Sequence, residues 1–325
     1  MRDTTGFYPV KVLLGIADEI SPLLRCAISQ VAIQLPSFEQ ARQLVGWLGL
    51  GFPASRIRHI SKNFCQVGLQ HRAEKVSQLR AGKCSQKRSL AGMRVVISVD
   101  GGRIRIRVPI TRGRRRKSGR RGYRTEWKEP KLLVIYVLDE KGRKVSQTNM
   151  PFVCDGTLEG KDYFLEILRL HLQQSGINEA SEIVLVGDGA PWIWNNVPPL
   201  LVELSGRQVT QILDYYHACQ QLYQAAGALF APCSAKAWAD KWKKKLKQGH
   251  RQALLNEMST KISQGEVIDL KVAQTKFNYF LTHSQHGRLD YKIFKVLNLP
   301  IGSGVIESLI RQVVNLRLKS SGKLL

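Results

Sequence analysis

Acidic residues are scarce in this chain. Asp and Glu together number 25 against 50 Lys and Arg, a formal net charge of +25 over 325 residues. A surface this basic attracts polyanions, which leaves nucleic acid and anionic membranes as partner classes. Long apolar runs are missing too. None approaches the roughly 20 residues that a membrane span needs, and the first residues, MRDTTGFYPVKV, have no signal-peptide layout. Nucleic acid is therefore the expected partner, with no membrane and a cytoplasmic location. The cysteines, Cys26, Cys65, Cys84, Cys154, Cys219 and Cys233, form no C-x-x-C pair and match no zinc spacing. They read as reduced intracellular thiols. No motif couples a serine or cysteine to a base, which removes covalent nucleophilic catalysis. His283-x-x-His286 is half a metal site without a neighbouring cysteine, and reads as an exposed loop. With 43% hydrophobic residues the chain can bury a full core, as one large domain with an appendage or as two domains.

Residues 1–90 lack long β-branched runs and read as helical. Apolar residues recur at helical spacing over 38–50 (FEQARQLVGWLGL), and Gly51, Phe52 and Pro53 break the pattern. A second helix over 54–65 (ASRIRHISKNFC) carries Arg56, Arg58, His59 and Lys62 on its polar side. Helix, glycine-containing turn and basic helix suggest a helix-turn-helix that binds DNA; two packed helices with a solvated basic face would look the same.

From residue 91 onward strands dominate. RVVISVD at 94–100 is a buried-type strand ending in an acid, Gly101-Gly102 is a tight turn, and 103–108 alternates, so a hairpin is expected here. The segment 109–130 contains RGRRRKSGRRGYR. From 103 to 131 there are 13 basic residues and two acids, Glu126 and Glu129. Such a block reads as a flexible loop that meets a phosphate backbone through Arg103, Arg112, Arg114, Arg115, Arg116, Lys117, Arg120, Arg121 and Arg124. A buried strand at 131–138, a turn at 139–142 and another short strand follow. A helix over 161–174 precedes the strand 182–187, which ends at Asp188, and the strand 209–213, which leads to Asp214. Residues 215–287 are helical and basic. A last helix is expected over 305–318, with Ser303 as a candidate cap. Three strands in a meander and then alternating α and β is the order of an α/β ribonuclease H-like core, here with an all-helical insertion at about 215–287.

Asp100 and Asp188 both stand where an apolar strand ends, on strands that lie side by side in such a sheet. Glu307 lies in the first turn of the last helix. Three converging carboxylates suit two divalent metals, Mg²⁺ or Mn²⁺, which neutralise charge on the attacking and leaving oxygens of a phosphodiester. Asp155 and Asp162 compete, but neither ends an apolar strand. Trp192 and Trp194 read equally as base-stacking platforms or as packing.

VDGGR at 99–103, GDGAPWIW at 187–194, DYYHACQ at 214–220 and PIGSGVIES at 300–308 resemble, in this order, the motifs of DDE transposases. They are most similar to the ISKra type of bacterial insertion sequence, distantly related to the Mutator-like group. The resemblance covers about 93 to the end of the chain. It implies a catalytic, metal-holding triad of Asp100, Asp188 and Glu307, and an auxiliary D-x-x-H element of Asp214 and His217. It further implies cleavage and strand transfer on terminal-repeat and target DNA by a homo-oligomer in the bacterial nucleoid. Related transposases continue beyond this last helix, whereas this chain stops at SSGKLL, so impaired cleavage is expected. The alternatives are a decayed or repurposed transposase that binds DNA without cutting, and another ribonuclease H-like nuclease.

Overall fold

The computed structural model describes residues 8–16, 18–110, 122–145 and 152–311. A short α1 (Pro9–Leu13) precedes α2 (Pro22–Gln34) and α3 (Phe38–Trp47). Serines start the latter two in the same way: Ser21 and Ser37 accept the backbone N–H groups of Leu24 at 3.3 Å and Gln40 at 3.2 Å. Next, α4 runs over Ala54–Arg80, well past the expected end at residue 65. No proline interrupts it, and Gly68 alone is tolerated in a long helix. The faces of α2, α3 and α4 meet in an apolar cluster of Ile20, Ile28, Ala32, Ala41, Val45, Ile57 and Ile60.

The strands are β1 (Arg94–Gly101), β2 (Ile104–Pro109), β3 (Tyr123–Lys128), β4 (Lys131–Leu138), β5 (Val153–Thr157), β6 (Glu182–Gly187) and β7 (Thr210–Leu213). Two compact units form. One comprises Met1–Gly82, Ile104–Trp127 and Leu309–Leu325; the other comprises Lys83–Arg103 and Lys128–Ser308. In the first, β2 and β3 make a two-stranded ribbon. In the second, five strands make a mixed sheet in the order β5-β4-β1-β6-β7. There β1 is antiparallel to β4 and parallel to β6, β4 is antiparallel to β5, and β6 is parallel to β7. This mixed α/β arrangement is compatible with a ribonuclease H-like fold.

The expected hairpin of 94–100 with 103–108 does not form. The neighbours of β1 are β4 and β6. The residues from Val95 to Asp100 are all buried, so both edges and both faces of β1 need apolar partners, and the wholly buried KLLVIYVL of β4 supplies one. The alternating arginines of β2 leave Arg105 and Arg107 exposed, which suits a solvated ribbon. Its partner β3 lies inside the segment expected to be a loop. The short strand expected after the 139–142 turn is β5; before it, Lys144 makes only an isolated bridge to Leu138.

Helices α5 (Lys161–Ser175) and α6 (Pro191–Ser205) accompany the sheet. Then come α7 (Tyr215–Leu229), α8 (Pro232–Lys247), α9 (Arg251–Ser263) and α10 (Leu270–Gln285), which lie within the 215–287 stretch expected to be helical, and α11 (Tyr291–Val296), which follows it. α10 packs on α7 and α9. The described part of the last helix, α12, spans Gly304–Leu309. No helix among the described residues is long and apolar enough to cross a membrane.

Candidate functional site

In the parallel pairing of β1 with β6, Val99 is opposite Gly187. The next residues, Asp100 and Asp188, therefore emerge side by side at the carboxyl ends of two adjacent strands. Asp100 is 7% exposed. Burial, reinforced by the neighbouring Asp188, pushes its carboxyl up to about 7. Asp188 is half-buried and is also raised, chiefly by burial, with Glu129 and Asp214 adding to the shift. His217, in the first turn of α7, acts on both carboxylates in the opposite, lowering sense. Asp188 is anchored locally: its Oδ1 accepts from the Ala190 N–H at 2.8 Å, and its carbonyl accepts from Trp194 Nε1 at 2.7 Å.

Asp214 is completely buried, and its oxygens are taken up by the backbone. Oδ1 accepts from the N–H groups of Tyr216 at 2.6 Å and His217 at 3.1 Å, and Oδ2 accepts from the N–H of Ser303 at 2.6 Å. The carboxylate thus caps α7 and ties its start to the turn leading into α12. The Tyr215 N–H, donating to the Ile301 carbonyl at 2.9 Å, makes the same link.

Glu307 is in the first turn of α12 and exposed; its Oε1 accepts from the Ser303 hydroxyl at 3.2 Å. Asp100, Asp188 and His217 come together, whereas Glu307 is not among the charges that most strongly shift either aspartate. Among the described residues, no group of three His, Cys, Asp or Glu side chains forms a ready metal site. The aspartate pair itself fits a hard divalent cation. Two carboxylates held close and out of water repel each other, and a cation with a preference for oxygen relieves that repulsion.

The sequence reading missed Glu129. Its Oε1 would be 2.9 Å from a Cβ placed on Gly101, so the residue after Asp100 must be glycine or Glu129 must move. Glu129 is also paired with the buried Lys131 at 2.8 Å. The signal lay in the strand pairing: once 131–138 is the partner of β1, with Gly101 opposite Lys131, the acid just before it falls beside Asp100.

The residues expected to touch DNA divide by location. Arg58 and Lys62 are exposed on α4, and Arg56 donates to the Asp18 carbonyl at 2.9 Å and lies over the Phe52 ring. Arg103 is exposed after β1, and Arg124 is exposed on β3, paired with Glu126 at 2.8 Å. Arg112, Arg114, Arg115, Arg116, Lys117, Arg120 and Arg121 lie outside the described residues, as does the chain after residue 311. Trp194 is a packing residue, 7% exposed with the Arg288 guanidinium 4.2 Å over its ring. His283 is not on an exposed loop. It is buried on α10, against Trp194 and Tyr279, and burial pushes its imidazole down to about 3.

No family model matches this chain, and no curated protein matches it. Among solved structures it is similar to the Drosophila P element transposase strand transfer complex, at 12% identity and a TM-score of 0.30, over 69% of this chain. It spans about half of that chain, 48%. At that TM-score the similarity sets no residue correspondence.

Proposed function

We propose that this chain is a DDE-type DNA transposase of the ISKra kind, whose aspartates Asp100 and Asp188 hold divalent metal during phosphodiester cleavage and strand transfer. The observation that carries this reading is the pair itself: two carboxylates at adjacent parallel strand ends, with Asp100 held near neutrality by burial and by its neighbour. Structural acids are usually exposed or paired with a cation; acids made to repel one another out of water mark a working site. When bound, Mg²⁺ or Mn²⁺ supplies charge neutralisation on the oxygens of the reacting phosphate. Asp188, fixed through Ala190 and Trp194, orients its carboxylate toward Asp100. Asp214 holds the starts of α7 and of the turn before Glu307 in one frame. His217 stands beside the acids, able to hydrogen-bond a phosphate oxygen. Glu307 completes the triad in this reading. The net charge of +25 supports DNA as the partner, with a homo-oligomer assembled on paired DNA ends.

A second reading, a DNA-binding relative that no longer cleaves, draws on Glu307, whose carboxylate bonds to Ser303 on an exposed face. One assay separates the two. The protein is incubated with labelled DNA from either side of its reading frame, with Mg²⁺, with Mn²⁺ or with chelator. Metal-dependent nicking or joining supports the transposase. Retention of the DNA with no nicking in either metal supports the second reading and overturns the first.

A further inference from the structure

α10 belongs to the helical stretch that follows the sheet, yet one of its side chains approaches Asp188. Tyr279 lies against the backbone of Gly189, the residue immediately after Asp188. A Cβ built on Gly189 would be 2.4 Å from the Tyr279 hydroxyl oxygen and 2.3 Å from its Cε2. No side chain fits there, so the glycine of the GDGAP segment is explained by the phenol pressed onto it. The hydroxyl is buried and has no hydrogen-bond partner among the described residues. An unpartnered buried hydroxyl is destabilising, and a phenylalanine would fill the same space without that cost. The ring itself is held by the edges of Phe280, 5.4 Å away, and His283, 4.5 Å away. Burial, with Asp188 and Asp214 adding to it, keeps it protonated. The group is thus a neutral donor next to carboxylates, where a lysine or arginine would neutralise the acids by ion pairing.

We propose that the Tyr279 hydroxyl donates a hydrogen bond to a non-bridging oxygen of the scissile phosphate when DNA is seated at Asp100 and Asp188. This makes Tyr279 a catalytic residue contributed by the helical stretch. The inference rests on the transposase reading above. The hydroxyl is enclosed, so seating the phosphate must uncover it; the donor has no hydrogen bond among the described residues to give up, and a bond to a phosphate whose charge shifts in the transition state has its largest effect there.

The test compares the parent with Tyr279→Phe in two measurements. In thermal melting without DNA, Tyr279→Phe should melt at the same temperature as the parent or higher, because no internal bond is removed. A clear fall would mean that the hydroxyl is bonded within the protein, and would overturn the proposal whatever the activity. In single-turnover nicking of the flanking DNA, Tyr279→Phe should be slower by about tenfold to a hundredfold, with DNA affinity nearly unchanged. The deficit should shrink when sulfur replaces the hydrogen-bonded oxygen in one phosphorothioate diastereomer, a readout that a structural role would not move. Nicking at the parental rate overturns the assignment of Tyr279 and leaves the transposase reading standing. A parent that does not nick overturns both.

Discussion

At the ends of β1 and β6, Asp100 is withdrawn from water and Asp188 is half-buried; burial raises both carboxyls, and Asp188 adds to the rise at Asp100. On α4, by contrast, Arg58 and Lys62 stand in solvent, and apolar side chains appear on the helix surface as well, with Phe64 40%, Val67 64% and Leu69 53% exposed. The same chain therefore handles charge in two ways. In the sheet unit, a few acids are placed by strand register and bear an electrostatic penalty; in the helical unit, cations are spread over a surface at little cost. A placed, penalised charge serves chemistry at one point. A dispersed, solvated charge serves attraction to an extended polyanion. Changes in the sheet unit should then show themselves through metal and pH, and changes on α4 through salt.

The largest effect is expected at the acid pair. Asp100→Asn or Asp188→Asn should lower metal-dependent nicking by about 10³-fold or more, while DNA binding at fixed salt is retained or slightly strengthened. Nicking by the double variant within a few fold of the parent would remove the metal role from these residues and make the two units alike in serving only to bind.

Next in size is Asp214. Its carboxylate satisfies three backbone N–H groups, that of Ser303 buried and those of Tyr216 and His217 part-buried, and Asp214→Ala would leave them without acceptors. A loss of about 3–5 kcal/mol is expected from the missing cap and the orphaned donors, read as a lower denaturant midpoint. Hydrogen exchange at Ser303 and Glu307 should speed up more than at Leu185 in β6. Equal acceleration at all three positions would mean global loosening and would dissociate Asp214 from the turn before Glu307.

A smaller effect follows from the raised carboxyl of Asp100. Its folded value of about 7 lies above the ordinary 3.8. The folded state therefore binds this proton more tightly than the unfolded chain does. Stability from this group is full below about pH 4 and falls as pH rises toward 7. Without divalent metal, Asp100→Asn should raise the melting temperature at pH 8 by several degrees, about 2–4 °C for each kcal/mol recovered. The gain should vanish near pH 4, and Mg²⁺ should stabilise the parent more than the variant. A variant that melts below the parent at pH 8 without metal would show that the pair is not under repulsion.

The strand ends were legible because their signal is local: an apolar β-branched run that stops at an acid. RVVISVD and EIVLVGD each carry it, and the structure sets them side by side. The β1 hairpin was misread because a double glycine after a strand resembles a tight turn, while the true neighbour of β1 lies some thirty residues on. Choosing between them required weighing the burial of both faces of β1 against the exposed arginines of β2. Glu129 and Tyr279 were not legible at all. Neither ends an apolar strand, and each comes near the acids only through pairing or packing across long separations. The buried environment of His283 was hidden for the same reason, since its partners Trp194 and Arg288 come from other elements.

The smallest effect tests the other side of the comparison. If α4 meets DNA, Arg58 and Lys62 each displace counterions from phosphates, and the affinity carries a steep salt dependence. Replacing both with glutamine should flatten the slope of log affinity against log salt by about 0.9 for each phosphate no longer neutralised, about two units in all. Neither folding nor the metal dependence of nicking should change, because both side chains are exposed on a helix whose buried face is formed by Ile57 and Ile60. Arg56 is a poor choice for this measurement: its guanidinium bonds the Asp18 carbonyl and covers Phe52, so its removal would mix packing with charge. The outcome that separates the units is a double variant with parental single-turnover nicking at saturating DNA but a binding deficit that widens as salt is lowered. An unchanged salt slope would mean that the cations of α4 are solvated surface, and would move the DNA-binding surface to another part of the chain.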